Sequence, residues 1–145
     1  MAILPLSTSE GLEPNRNLVF WAYSQIHDER LELHDDMILL HAQTAEREFK
    51  IGNLNKHGWI ACIVGKALLV KRFSLGESQS YPDMGCNVEA YVKDVCIELE
   101  ILGPLAKLNR NESVTHEETW EVITDTEYPA AIESARAICT RLSLK

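Results

Sequence analysis

The chain is expected to fold as a mainly β protein, an antiparallel β-sandwich with one C-terminal α-helix. Three features predict this. Short apolar or alternating runs recur along most of the sequence, Gly, Asn, Asp and Pro separate them, and only the final segment changes to helical spacing.

Residues 1–16 hold Pro5, Gly11 and Pro14 among Ser and Thr, a composition that predicts an irregular N-terminal arm. A single domain is then expected over residues 17–145. Its strands are expected in NLVFWAY (17–23), MILLHAQ (37–43), REFKIG (47–52), WIACIVG (59–65), ALLVKRF (67–73), NVEAYV (87–92), VCIELEIL (95–102) and SVTHEETWEVI (113–123). His34-Asp35-Asp36, Gly65-Lys66 and Lys93-Asp94 read as turns, the last two short enough for hairpins. In the last run Thr115, Glu117, Thr119 and Glu121 alternate with Val114, His116, Glu118, Trp120 and Val122, and the second set is expected to face inward. After Tyr128-Pro129, the segment AAIESARAICTRL puts Ile132, Ala135, Ile138 and Leu142 at helical spacing, so an amphipathic helix should pack at the end.

Composition excludes several classes. At 145 residues and 46% hydrophobic content the chain can bury one sizeable core. Its 14 basic and 22 acidic residues leave a net charge of −8, which argues against binding a phosphate backbone and so against a nucleic-acid partner. Cys62, Cys86, Cys96 and Cys139 form no CxxC pair, so neither a zinc site nor a disulfide framework is indicated, and the cysteines read as reduced thiols. The start of the chain lacks an export signal and no apolar run is long enough to span a bilayer, so a cytoplasmic protein with no membrane partner is expected. In that compartment the sequon at Asn111-Glu112-Ser113 is a chance match. No phosphate-cradling Gly-rich loop, HExxH or GxSxG motif occurs, and no cofactor or metal is implied.

The candidate chemistry lies between Tyr81 and Trp120. On a strand Cys96, Glu98 and Glu100 share one face while Ile97, Leu99 and Ile101 share the other. Two readings fit: a half-buried strand with a wet polar face, or the floor of a cleft. Tyr81, Asp83, Asn87, Glu89 and Tyr91 precede this strand and Gly103-Pro104 closes it, and that company favours the cleft. Aromatic, amide and carboxylate groups together suit a carbohydrate or related polyol, whose C–H faces stack on rings while its hydroxyls give and accept hydrogen bonds.

The ordered segments WAYSQIHDER, EFKIG, GWIACIVGKALLVKRF, YPDMGCNVEAY, ELEILGPLAKL and HEETWEVI resemble the C-terminal half of an uncharacterised branch of the galactose-mutarotase-like superfamily. The resemblance covers roughly residues 18–124 and implies half of an antiparallel super-sandwich with a sugar cleft. Members that are aldose 1-epimerases interconvert anomers with an acid and a base. Their base is a glutamate in a Cys-Leu-Glu strand motif, which Cys96-Ile97-Glu98 is similar to, so the resemblance makes Glu98 the first candidate base and Glu100 the second. Their catalytic histidine belongs to the other half of the domain, which this chain does not resemble.

Among the five histidines, His116 is the best candidate for a cleft residue because it shares a face with Glu118 and Trp120. Arg30 and Lys50 could hold a sugar acid, or simply pair with Glu98 and Glu100. Trp59 is a possible stacking platform, although a tryptophan beside Ile60 and Ile63 reads first as core. A half sandwich leaves sheet edges open, which predicts a homodimer. Three functions therefore stand: a carbohydrate-binding module, a small anomer-converting enzyme, and a non-catalytic structural or interaction dimer.

Overall fold

The computed structural model describes residues 1–43, 46–76, 80–94 and 96–144. Among these residues it contains ten strands in two wholly antiparallel sheets and a C-terminal helix, Ile132–Arg141. The strands are β1 (Ala2–Pro5), β2 (Val19–Phe20), β3 (Leu31–Leu33), β4 (Met37–Leu40), β5 (Phe49–Asn53), β6 (Trp59–Val64), β7 (Ala67–Phe73), β8 (Val88–Lys93), β9 (Cys96–Ile101) and β10 (Glu118–Ile123). Six form a sheet in the order β10-β7-β6-β1-β4-β3, and four form a second sheet in the order β2-β5-β8-β9. The mainly β sandwich and its helix are thus as the periodicity predicts.

Alternation sorts the apolar residues into two cores, one on each side of the larger sheet. Ile3, Leu39, Ala61, Ile63, Leu68 and Val70 point towards the helix, which returns Ala135 and Cys139. Leu4, Ile38, Leu40 and Ile60 point the other way and meet Phe49, Ile51, Val88, Ala90 and Val92 of the smaller sheet. The helix therefore covers one face of the six-stranded sheet and the four-stranded sheet covers the other. That leaves the outer face of the smaller sheet to polar side chains.

The turns fall as expected at 34–36 and at Gly65-Lys66, where Gly65 takes φ +59°. At the β8–β9 hairpin Lys93 is still in the strand and Asp94 carries the positive φ, while Val95, part of the expected run, lies outside the described residues. All four cysteines are free thiols. Among the described residues no helix is long and apolar enough to cross a membrane.

Two expectations fail. Residues 2–5 are not an irregular arm: β1 lies inside the larger sheet, paired to β4 and β6, with all four of its residues buried. The turn-rich composition belongs to residues 7–16 alone, and Pro5 is tolerated at the strand end because β6 pairs only with Ala2 and Ile3. Nor does the second face of the last strand point into the core. Strand structure begins only at Glu118, and Val114, Trp120 and Val122 are 60%, 64% and 67% exposed. Trp120 and Val122 do lie on the side that carries the smaller sheet, but β9 packs over β6, so β10 projects beyond its cover.

Candidate functional site

The outer face of the four-stranded sheet gathers the acids that the sequence singles out. Antiparallel pairing sets Gly52 opposite Glu89 and Lys50 opposite Tyr91 between β5 and β8. It also sets Glu89 opposite Glu100 and Tyr91 opposite Glu98 between β8 and β9. Because Val88, Ala90 and Val92 point into the core, Glu89 and Tyr91 must point out of it.

Lys50 organises this face. Its Nζ lies 2.6 Å from Glu89 Oε2 and 2.8 Å from Glu100 Oε1, and 4.7 Å from the centre of the Trp21 ring. The segment after β2 carries that ring and is anchored by Ser24, whose hydroxyl donates to the Lys50 carbonyl and accepts from the Lys50 amide. Burial works against the Lys50 charge, but the two carboxylates outweigh it and hold the ammonium above its ordinary pKa.

Glu89 is unlike its neighbours. Its side chain is 1% exposed, against 33% for Glu100, and its Oε1 has no hydrogen-bond partner. Burial pushes its pKa up to about 7. Lys50 pulls it down, whereas the neighbouring Asp83 and Glu100 carboxyls add to the rise. Two carboxylates cannot hydrogen-bond to one another, so Asp83 can satisfy Oε1 only if a proton or another cation lies between them.

The backbone is shaped around this carboxyl. A Cβ on Gly52 would lie 2.7 Å from Cys86 Sγ and 3.1 Å from Glu89 Cγ, so only glycine leaves the side chain its place. Asp83 reaches it from the turn Pro82–Gly85, where Asp83, Met84 and Gly85 take φ of 45°, 59° and 93° in succession. Left-handed conformations at the two non-glycine residues cost of order 1 kcal/mol or more each, a kind of strain that clusters at functional sites. Cys86 is not a nucleophile here: burial, helped by Glu89 and Asp83, pushes its thiol up to about 12.

The other expected site residues lie elsewhere or have structural partners. Glu98 is exposed opposite Tyr91, on the same outer face but outside the Lys50 contacts. Asn87 is buried, accepting from the Asn55 amide and donating to the Asn55 carbonyl, so it pins two loops together. Tyr81 accepts a bond from the Gly76 amide and lines a separate cleft of about 230 Å³ with Leu54, Asn55 and Leu75. Arg30 is buried, with Nε and Nη2 bonded to Asp28 and Nη1 to the Arg47 carbonyl, so it pairs with neither Glu98 nor Glu100. Trp59 belongs to the core under the helix. His116 meets Glu118 at 3.3 Å on the β10 side and abuts Gly103.

Trp21 is the member of the site that the sequence reading passes over. Its only local signal is an aromatic pair, Trp21 and Tyr23, just ahead of a serine. Among the described residues no group of three His, Cys, Asp or Glu side chains converges to hold a metal. In comparisons with known proteins, no family model, no curated protein and no solved structure matches the chain.

Proposed function

We propose that the chain binds a small polyol, of the carbohydrate class, on the outer face of the four-stranded sheet over Glu89, Lys50, Glu100 and Trp21. The observation that carries this reading is the buried Glu89 carboxyl, with one oxygen on Lys50 and the other without a partner. A buried acceptor left unsatisfied costs about 1–3 kcal/mol, which a ligand hydroxyl would recover. Beside it an aromatic ring, an ammonium and a second carboxylate offer the mixed contacts that hydroxyls and C–H faces need.

Calorimetric titration with a panel of hexoses and linear polyols tests it. Binding is expected to weaken about tenfold or more in Glu89→Gln and in Trp21→Ala, in line with loss of a hydrogen bond to a charged group or of a stacking surface. Binding that is indifferent to both substitutions, or no binding at millimolar concentrations, would sink the proposal.

Anomer interconversion is the second reading, and one observation favours it. A carboxyl titrating near 7 can take and return a proton at neutral pH, as a general base must. In this version Glu89, more than the exposed Glu98, accepts the anomeric hydroxyl proton while the ring C–O bond opens and the released ring oxygen takes a proton from water. Acceleration of anomer exchange, followed by NMR, should then vanish in Glu89→Gln and persist in Glu98→Gln; the reverse pattern returns the role to Glu98.

A further inference from the structure

We propose that the ligand of this face carries a protonated amine, which seats between Glu89 Oε1 and the Asp83 carboxyl. The inference rests on the polyol reading and narrows it to amino sugars and related amino alcohols.

Three observations carry it. Lys50 satisfies only one oxygen of Glu89, and the other is buried without a donor. The strained turn at 83–85 then presents a second acid to that same carboxyl, Asp83 being exposed and Glu89 buried. Two facing carboxyls are a site for a cation or a proton, because without one they repel. Finally the surroundings are acidic: Glu48, Asp83, Glu89, Glu98 and Glu100 against Lys50 and Lys93, five charges to two, or a net of −3 when all are ionised. A neutral polyol leaves that excess in place, and an ammonium reduces it.

The kind of cation follows from geometry. Among the described residues no group of three or more His, Cys, Asp or Glu side chains converges to hold a metal, so Glu89 and Asp83 do not form an all-protein metal cage. A guanidinium could not use its bidentate fork on Glu89, because Glu89 Oε2 is occupied by Lys50. An ammonium has three separate donors and can give one to each acid and one to solvent.

Seating the ammonium also moves a proton. In the free protein Glu89 Oε1 has no donor, and burial together with the Asp83 and Glu100 carboxyls favours a proton at this carboxyl. The entering ammonium takes over that position and the displaced proton leaves to solvent, so charge and atoms balance. The groups that face Glu89 and set this exchange are Lys50 from β5, Asp83 and Cys86 from the turn, and Glu100 from β9. Tyr23 lies beyond Lys50.

The test is calorimetry on the whole chain at about pH 6.5, where a sugar amine is protonated, with glucosamine, glucose and N-acetylglucosamine in buffers of different ionisation enthalpy. Glucosamine is expected to bind roughly tenfold or more tightly than the other two and to release a substantial fraction of one proton per ligand bound. Asp83→Asn and Glu89→Gln should each bring glucosamine down to the level of glucose. Asp83 is exposed, so Asp83→Asn keeps the test valid even if Glu89→Gln does not fold. Equal binding of all three sugars would overturn the amine assignment and leave the polyol reading intact. So would a glucosamine preference that survives in Asp83→Asn, or one without proton release. If no sugar binds, both readings fall.

Discussion

The molecule builds the same trio of lysine, glutamate and tryptophan twice, and the two copies behave differently. On the outer face of the small sheet Lys50 holds Glu89 and Glu100 beside Trp21. At the β10 edge Lys71 holds Glu118 at 3.0 Å and stands 4.9 Å from the centre of the Trp120 ring. In the second copy the bonding is closed: Trp120 Nε1 and Lys71 donate to Glu118 Oε2, His116 meets Oε1, and Lys71 also donates to the Leu99 carbonyl. Burial works to raise the Glu118 pKa, but these bonds outweigh it and hold it below the ordinary carboxylate value. The first copy adds one acid too many, and that acid is driven the opposite way. Identical chemical components give a clamp where both carboxylate oxygens have partners and a candidate binding site where one oxygen has none.

Removing each lysine should break the symmetry most visibly. Lys50→Met leaves a buried and a half-buried carboxylate without their cation and should cost about 3–5 kcal/mol in urea denaturation at neutral pH, softened by protonation of Glu89. Lys71→Met should cost less, about 1–2 kcal/mol, because Glu118 keeps Trp120 and His116. Equal costs would mean that both clusters are structural clamps and that nothing sets the Lys50 face apart.

The pH dependence sharpens the contrast. Glu89 has a raised pKa in the folded state, so folding is favoured by its protonation. Its contribution to stability is therefore lost as pH rises from about 4.5 to about 7 and stays lost above that. Glu89→Gln should be the more stable protein at pH 8 relative to pH 4 by up to about 3 kcal/mol, measured as the difference from wild type. Taking that difference cancels the N-terminal amine, whose pKa burial lowers. A flat difference would show that Glu89 is already satisfied.

Gly52→Ala tests the cradle. A methyl group 2.7 Å from Cys86 Sγ and 3.1 Å from Glu89 Cγ should cost about 1–3 kcal/mol and displace Glu89, weakening any ligand with it. The smallest effect is expected at the closed cluster. Glu118 has a lowered pKa, so its stabilisation is present above the ordinary carboxylate value and disappears as the pH falls through the folded one. Glu118→Gln should cost about 1 kcal/mol at pH 7 and almost nothing well below pH 4. A loss that persists in acid would point to packing in place of charge.

The fold was legible wherever the chain repeats a local pattern for long enough. The alternation of Cys96 to Ile101 assigns the acids to one face and the apolar residues to the other, and the structure keeps that assignment. The spacing of Ile132, Ala135, Ile138 and Leu142 likewise defines the helix. Four residues at β1 and three at β3 are too few for any period, and their strand character comes from the neighbours that pair with them. At the candidate site, the sequence brought Lys50, Asp83, Glu89 and Glu100 into consideration, but equally Asn87, Tyr81, Arg30 and Trp59, whose contacts are made away from Lys50 and Glu89.

By itself, then, the sequence determined that the chain forms strands, where most of them turn, which side chains share a face, and that it carries a net charge of −8. Only the tertiary structure decided that Glu89 is the buried acid, that Lys50 is its counter-ion, that Trp21 stands over that lysine, and that β10 projects past its cover. The reason is physical. Which side a residue faces is set by backbone geometry within its own strand, whereas depth, desolvation and ion pairing are set by register and by the residues other strands and loops bring alongside.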